Sequence, residues 1–136
     1  QRDNLAGIEM KDYLSHLSES LLNTLDYDPE RIALRLDMEE LELDVDTAVP
    51  LGLIVNELIT NSLKYAFPEG RSGRITVSLR RTSAGLELYV ADDGVGAANE
   101  LSGTSFGSQL INLLTQQLGG TIEQGNEDGY WTRLLV

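Results

Sequence analysis

Leu51-Gly52-Leu53-Ile54-Val55-Asn56-Glu57-Leu58-Ile59-Thr60-Asn61-Ser62-Leu63-Lys64-Tyr65-Ala66-Phe67-Pro68 decides how this chain is read. At about 100° per residue, Leu51, Val55, Leu58, Ile59 and Ala66 fall on one side of a helix. Glu57, Asn61 and Lys64 fall together on the other. Asp46 is a suitable N-cap for this helix. Pro50 then falls in the first turn, where a missing N–H does little harm. The helix is expected to run to about Phe67 and stop at Pro68-Glu69-Gly70. A polar trio of this kind can simply face water. It also has the chemistry of a phosphate site. An Asn amide oxygen suits Mg²⁺, which keeps several waters and is shared with substrate phosphates. Lys64 can meet a phosphate as a point charge, and Glu57 can orient or deprotonate a water or hydroxyl.

Outward from this helix, the pattern predicts helices and strands in alternation. On the N-terminal side, Tyr13, Leu14, Leu17, Leu21 and Leu25 recur at helical spacing within Glu9 to Leu25, and Asp28-Pro29 ends that helix. Ile32, Leu34 and Leu36 alternate with Arg31, Arg35 and Asp37 as a strand does, and a short second strand is expected around Leu41 to Leu43. On the C-terminal side, Ile75, Val77 and Leu79, then Leu86, Leu88 and Val90, form a hairpin through Thr82-Ser83-Ala84-Gly85. A loop rich in Gly, Ala, Asn and Ser covers Asp92 to Gly107. A helix over Phe106 to Leu118 places Leu110, Leu113, Leu114 and Leu118 on its apolar side and is capped by Gly119-Gly120. Two strands, near Thr121 to Gln124 and Trp131 to Val136, close the chain. The fold class is α+β, a two-layer sandwich with one layer of helices over a mixed, mostly antiparallel sheet.

Two glycine clusters flank the long loop. Val90-Ala91-Asp92-Asp93-Gly94-Val95-Gly96 is an ordinary Asp-Gly turn after a strand, or a place where Gly94 and Gly96 let backbone approach a ligand. In the second case Asp92 accepts from a donor such as an adenine amino group. Guanine presents a carbonyl there, which an ionised Asp rejects. Gly103-Thr104-Ser105-Phe106-Gly107-Ser108-Gln109 leads into a helix, either as plain capping or as an anion site built from free N–H groups and the macrodipole. Neither cluster is a Walker P-loop or a Rossmann fingerprint.

The order of these motifs resembles the ATP-binding catalytic domain of sensor histidine kinases, within the superfamily shared with DNA gyrase, Hsp90 and MutL. Leu51 to Pro68 is similar to the N box of the HWE-related subfamily. The resemblance covers nearly the whole chain, with 46–136 carrying the nucleotide motifs and 1–28 the N-terminal helix. It implies a Bergerat-type fold and binding of ATP and Mg²⁺. Asn61 matches the metal-binding asparagine, Lys64 the phosphate-contacting lysine and Tyr65 the aromatic beside the nucleotide. Glu57 stands one turn before the metal asparagine, where gyrase-like ATPases carry a catalytic Glu, so Glu57 and Lys64 are the implied catalytic pair. Asp92 matches the adenine-reading aspartate, with Gly94 and Gly96 as its glycine partners. Ser105, Phe106 and Gly107 correspond to the second glycine box, with Ser105 where many members have Gly. Thr132 matches a late threonine that supports the adenine site. The loop from Ala97 to Ser105 carries no Lys or Arg, unlike that of larger kinases.

Composition bounds the rest. The 136 residues make one domain. With 22 acidic and 10 basic side chains the net charge is -12, which argues against nucleic acid as a partner. No cysteine is present, which excludes disulfides, zinc–thiolate sites and thiol catalysis. The longest apolar stretch, Val49 to Val55, is far short of the ~20 residues that cross a bilayer, and Gln1-Arg2-Asp3-Asn4 is no signal peptide. The one histidine, His16, is expected on the exposed face of its helix, in surroundings unlike the family's acceptor box.

The resemblance implies a cytoplasmic domain, a fragment of a longer parent that is either soluble or membrane-attached, and inactive alone because its phosphoacceptor lies elsewhere. The resemblance implies transfer of the γ-phosphate to a histidine on a dimerisation helix of the same or a sister chain. It also implies a response regulator downstream and a homodimeric parent. Two other readings keep the fold. One is an ATPase or anti-sigma-type serine kinase using Glu57, and the other a degenerate interaction module. With so few basic residues, the phosphates must rely on Mg²⁺ and backbone N–H groups.

Overall fold

The computed structural model describes residues 7–25, 27–95 and 106–136. Strand β1 (Ile8–Glu9) leads into α1 (Met10–Thr24), followed by β2 (Ile32–Met38), β3 (Glu42–Leu43) and α2 (Val45–Tyr65). A short 3-10 turn at Pro68–Gly70 precedes the hairpin of β4 (Gly73–Thr82) and β5 (Gly85–Asp92). Helix α3 (Phe106–Gln117) and strands β6 (Thr121–Gly125) and β7 (Trp131–Leu135) complete the chain.

The main sheet has the order β2-β4-β5-β7-β6. All its neighbours are antiparallel except β2 and β4, which pair in parallel from Ile32 opposite Gly73 to Met38 opposite Leu79. That one parallel pair follows from the connection: two parallel neighbours need a crossover, and α2 supplies it. The expected short strand is present as β3, but it pairs with β1 in a separate two-stranded ribbon, Ile8 opposite Leu43.

One sheet face carries the core. Ile75, Val77 and Leu79 of β4, Leu88 and Val90 of β5 and Leu134 of β7 are buried against the helices. From α2, Leu51, Ile54, Val55, Leu58, Ile59 and Leu63 meet them. Each such side chain stabilises the fold by about 1.5–3 kcal/mol through burial. Helix α2 packs against both α1 and α3, so the polar side of its second half is brought near the start of α3.

The two ends of α2 differ from the sequence expectation. Its N-cap is Asp44, whose carboxylate accepts from the Thr47 amide at 3.1 Å, and Asp46 lies in the first turn, where a negative charge suits the helix dipole. The helix therefore begins at Val45, and Pro50 sits inside it beyond the first turn. The Asp46 carbonyl loses its amide partner as a result, and Asp46 is exposed, so water can replace it. At the other end the helix stops at Tyr65, with Ala66 as its C-cap.

Two apolar stripes are also shifted. Leu25 lies just past α1 as its C-cap and is exposed, while the buried row of α1 is Met10, Leu14 and Ser18. In α3, Ile111 and Leu114 are buried and Leu113 is exposed, because Leu113 falls one step outside the stripe that faces α2. The Gly119-Gly120 cap forms as expected, with both amides donating back to the last turn.

Ser18 is fully buried, and its hydroxyl has no partner among the described residues. A buried unsatisfied hydroxyl costs about 1–3 kcal/mol, and Ala is the better helix former. Ser18→Ala is expected to leave stability unchanged or raise it by up to about 1 kcal/mol in urea denaturation. A clear loss of stability would mean that a buried water engages the hydroxyl.

Candidate functional site

Strand β5 ends in Asp92, which is 6% exposed. Its Oδ1 accepts from the Gly94 amide at 2.9 Å and the Tyr130 amide at 3.2 Å. Its Oδ2 accepts from the Ser62 hydroxyl at 2.8 Å. A carboxylate oxygen offers two acceptor positions, so Oδ1 is filled and Oδ2 keeps one open. Thr132 lies on the neighbouring strand opposite Val90, on the same sheet face as Asp92. It is 2% exposed, and its Oγ1 forms no hydrogen bond among the described residues.

Tyr130 completes this end of the site. Burial pushes its phenol above the usual range. The Thr132 hydroxyl lies near enough to draw it partly back, without the geometry of a formed hydrogen bond, and the Asp92 carboxylate adds to the rise.

Helix α2 supplies the second wall. Ser62 is buried among the apolar residues of the stripe, while Glu57 and Asn61 are half-buried and Lys64 and Tyr65 exposed. The helix is clipped to the Asp-Gly turn: Val95 donates its amide to the Ala66 carbonyl at 2.9 Å. A Cβ at position 94 would overlap that same carbonyl and lie 2.6 Å from the Ala66 Cβ. Only glycine lets the turn approach the helix end so closely.

Gly107, in the first turn of α3, lies against Glu57. A Cβ there would meet the Glu57 carboxylate, the free end of a flexible side chain. The two residues, fifty apart in sequence, are therefore in contact. Phe106, beside Gly107, is 78% exposed. Asp93 turns away and accepts from the Arg74 amide at 2.7 Å. Gly96 and Ser105 lie outside the described residues. His16 is exposed on α1, its ring nitrogen 2.9 Å from the Asp12 carbonyl.

The structure thus brings together Asp92, Gly94 and Thr132 on the sheet side, and Glu57 with Gly107 at the start of α3. Asn61, Lys64 and Tyr65 project from the α2 turn between them. Ser62 and Tyr130 were not anticipated from sequence. For Ser62 a signal was available: it is a polar residue in the helix stripe that otherwise reads Leu58, Ile59 and Ala66. Among the described residues no three His, Cys, Asp or Glu side chains group as metal ligands. A cation at Asn61 would take its other ligands from phosphate oxygens and water, which is the habit of Mg²⁺. The unpartnered Thr132 hydroxyl and the open Oδ2 position fit a heterocycle carrying both a donor and an acceptor.

Comparison with known proteins agrees with this fold. The family of histidine kinase-, DNA gyrase B-, and HSP90-like ATPases matches residues 46–136. The chain belongs to that family. It is 32% identical over 85 residues to the sensor histidine kinase PdtaS of Mycobacterium tuberculosis, covering 59% of this chain and 17% of the relative. It is 30% identical over 95 residues to the blue-light-activated histidine kinase 2 of Erythrobacter litoralis, covering 67% and 28%. The histidine kinase domain of the Erythrobacter litoralis EL346 blue-light activated kinase superposes with a TM-score of 0.83 at 26% identity, over 93% of this chain and 60% of that one. The chain spans less than a third of the length of these curated relatives. Among the described residues no helix is long and apolar enough to cross a membrane.

Proposed function

We propose that this chain is the ATP·Mg²⁺-binding catalytic domain of a two-component sensor histidine kinase. The observation that carries the reading is the Asp92 carboxylate, fixed by Ser62, Gly94 and Tyr130 with one acceptor position open beside the Thr132 hydroxyl. Asp92 takes the adenine amino group, and Thr132 supports the ring. Lys64 meets the phosphates, Tyr65 lies beside the nucleotide, and Asn61 provides one oxygen to the metal. Mg²⁺ supplies charge neutralisation of the phosphates when bound. Gly94, Gly96, Ser105, Phe106 and Gly107 shape the backbone around the ligand.

The γ-phosphoryl group leaves ADP and passes to an imidazole nitrogen on a dimerisation helix outside this chain, with a response regulator downstream. Positioning and charge compensation carry such a transfer, and little covalent chemistry falls to the protein. A homodimeric parent with this domain on the cytoplasmic side belongs to the same proposal. Calorimetric titration is expected to show saturable ATP binding that depends strongly on Mg²⁺, as the net charge of -12 demands. A folded sample that takes up no ATP at millimolar nucleotide overturns the reading.

The contact between Glu57 and Gly107 favours one further role. A carboxylate at the entrance of α3 can activate water or a hydroxyl, making the domain an ATPase or a serine kinase. Phosphate release without any acceptor, abolished by Glu57→Gln, is the expected result on that reading. An unchanged rate in Glu57→Gln removes it.

A further inference from the structure

The last turn of α2 is held from outside by a side chain with no place in the nucleotide chemistry above. Helix α2 ends at Tyr65, and among the described residues no amide beyond the helix reaches the Leu63 carbonyl. The Tyr27 hydroxyl donates to it instead, at 2.8 Å, from the connection between α1 and β2. Terminal helix carbonyls need such partners or the turn frays.

Tyr27 is itself anchored. Its amide donates to the Leu22 carbonyl at 3.1 Å. The Arg31 guanidinium stands 5.5 Å from the centre of its ring, within cation–π range. Arg31 Nη1 donates to the Arg71 carbonyl at 2.7 Å, which ties the pair to the segment following α2. Three pieces of chain, the end of α1, the end of α2 and the turn before β4, are thus tied together through Tyr27 and Arg31.

We infer that Tyr27, braced by Arg31, is a positioning residue for the phosphate end of the bound nucleotide. It fixes the Leu63 carbonyl and so the direction of the turn from which Lys64 and Tyr65 project. The inference rests on the nucleotide reading above. It separates the two ends of the site. Asp92 and Thr132 stand on the sheet, and Ser62 is bonded to Asp92 directly, so the adenine end does not depend on Tyr27.

The test is the ratio of two affinities in Tyr27→Phe, read by titration of the 136-residue chain with ATP·Mg²⁺ and with adenosine. ATP·Mg²⁺ affinity is expected to fall about fivefold, the scale of one hydrogen bond, with adenosine affinity nearly unchanged. Arg31→Gln, which keeps the phenol and removes its brace, is expected to move the ratio the same way by less, and it carries the test if Tyr27→Phe does not fold. Equal losses for both ligands, or no loss for either, overturn the inference. A wild-type chain that does not bind ATP·Mg²⁺ overturns the nucleotide reading and this inference with it. Wild-type binding with an unchanged ratio in the variants overturns this inference alone.

Discussion

Asp92→Asn is expected to weaken adenine-nucleotide binding by about ten- to a hundredfold while the chain stays folded, the scale of an unsatisfied buried polar contact. Two backbone amides face Oδ1, so an asparagine must place its oxygen there. The amide nitrogen then occupies the position of Oδ2. The Ser62 hydroxyl can rotate and accept from it, which preserves the packing of α2 on β5. The open position, however, now presents an N–H to the adenine amino group, and two donors face each other. Calorimetry with ATP, alongside a melting curve, reads both halves of the expectation. An unchanged ATP affinity in a folded Asp92→Asn chain would remove Asp92 from the site.

Gly94→Ala is expected to act on fold and site together. The added methyl meets the Ala66 carbonyl and Cβ, and neither is the free end of a flexible side chain. The turn must retreat from α2, which strains the 2.9 Å bond from Val95 to Ala66 and the 2.9 Å bond from Gly94 to Asp92. Overpacking of this kind costs about 1–3 kcal/mol. ATP affinity should fall as well, because Asp92 loses one of its three donors. Urea denaturation and calorimetry check the two effects. Wild-type stability in Gly94→Ala would mean that the close approach of turn and helix is unimportant.

Much of this was legible in the residues. The apolar stripe Leu51, Val55, Leu58, Ile59 and Ala66 is buried, and the Glu57, Asn61 and Lys64 side faces away from the core, because a 21-residue helix obeys its own period. The hairpin strands and the glycine cap of α3 were equally local. What was missed depends on contacts between distant segments. Asp44 and Asp46 are both competent caps. Which one serves is settled by Leu43, held in register by Ile8, so that the chain turns at Asp44. Alternation marks β2 as a strand but does not say that it runs parallel to β4. The tie from Ser62 to Asp92 needs α2 laid across the end of β5, which neither segment encodes alone. The expectations for Gly96 and Ser105 fall outside the described residues.

The parallel pairing of β2 with β4 bears on the order in which the molecule assembles. Strands β4 and β5 close through Ser83 and Ala84 alone, whereas β2 meets β4 only after the chain has traversed β3 and α2. Loop-closure entropy rises with the length enclosed, so the hairpin is the cheaper nucleus and the edge strand the costlier addition. Asp92 stands on the early piece. Asn61, Ser62 and Lys64 ride on the crossover, which packs on β4 and β5 and is tied to β5 through Ser62 and Asp92. The two halves of the site therefore meet only when α2 lies on the finished hairpin, so the strand half can form without the helix half but the site cannot.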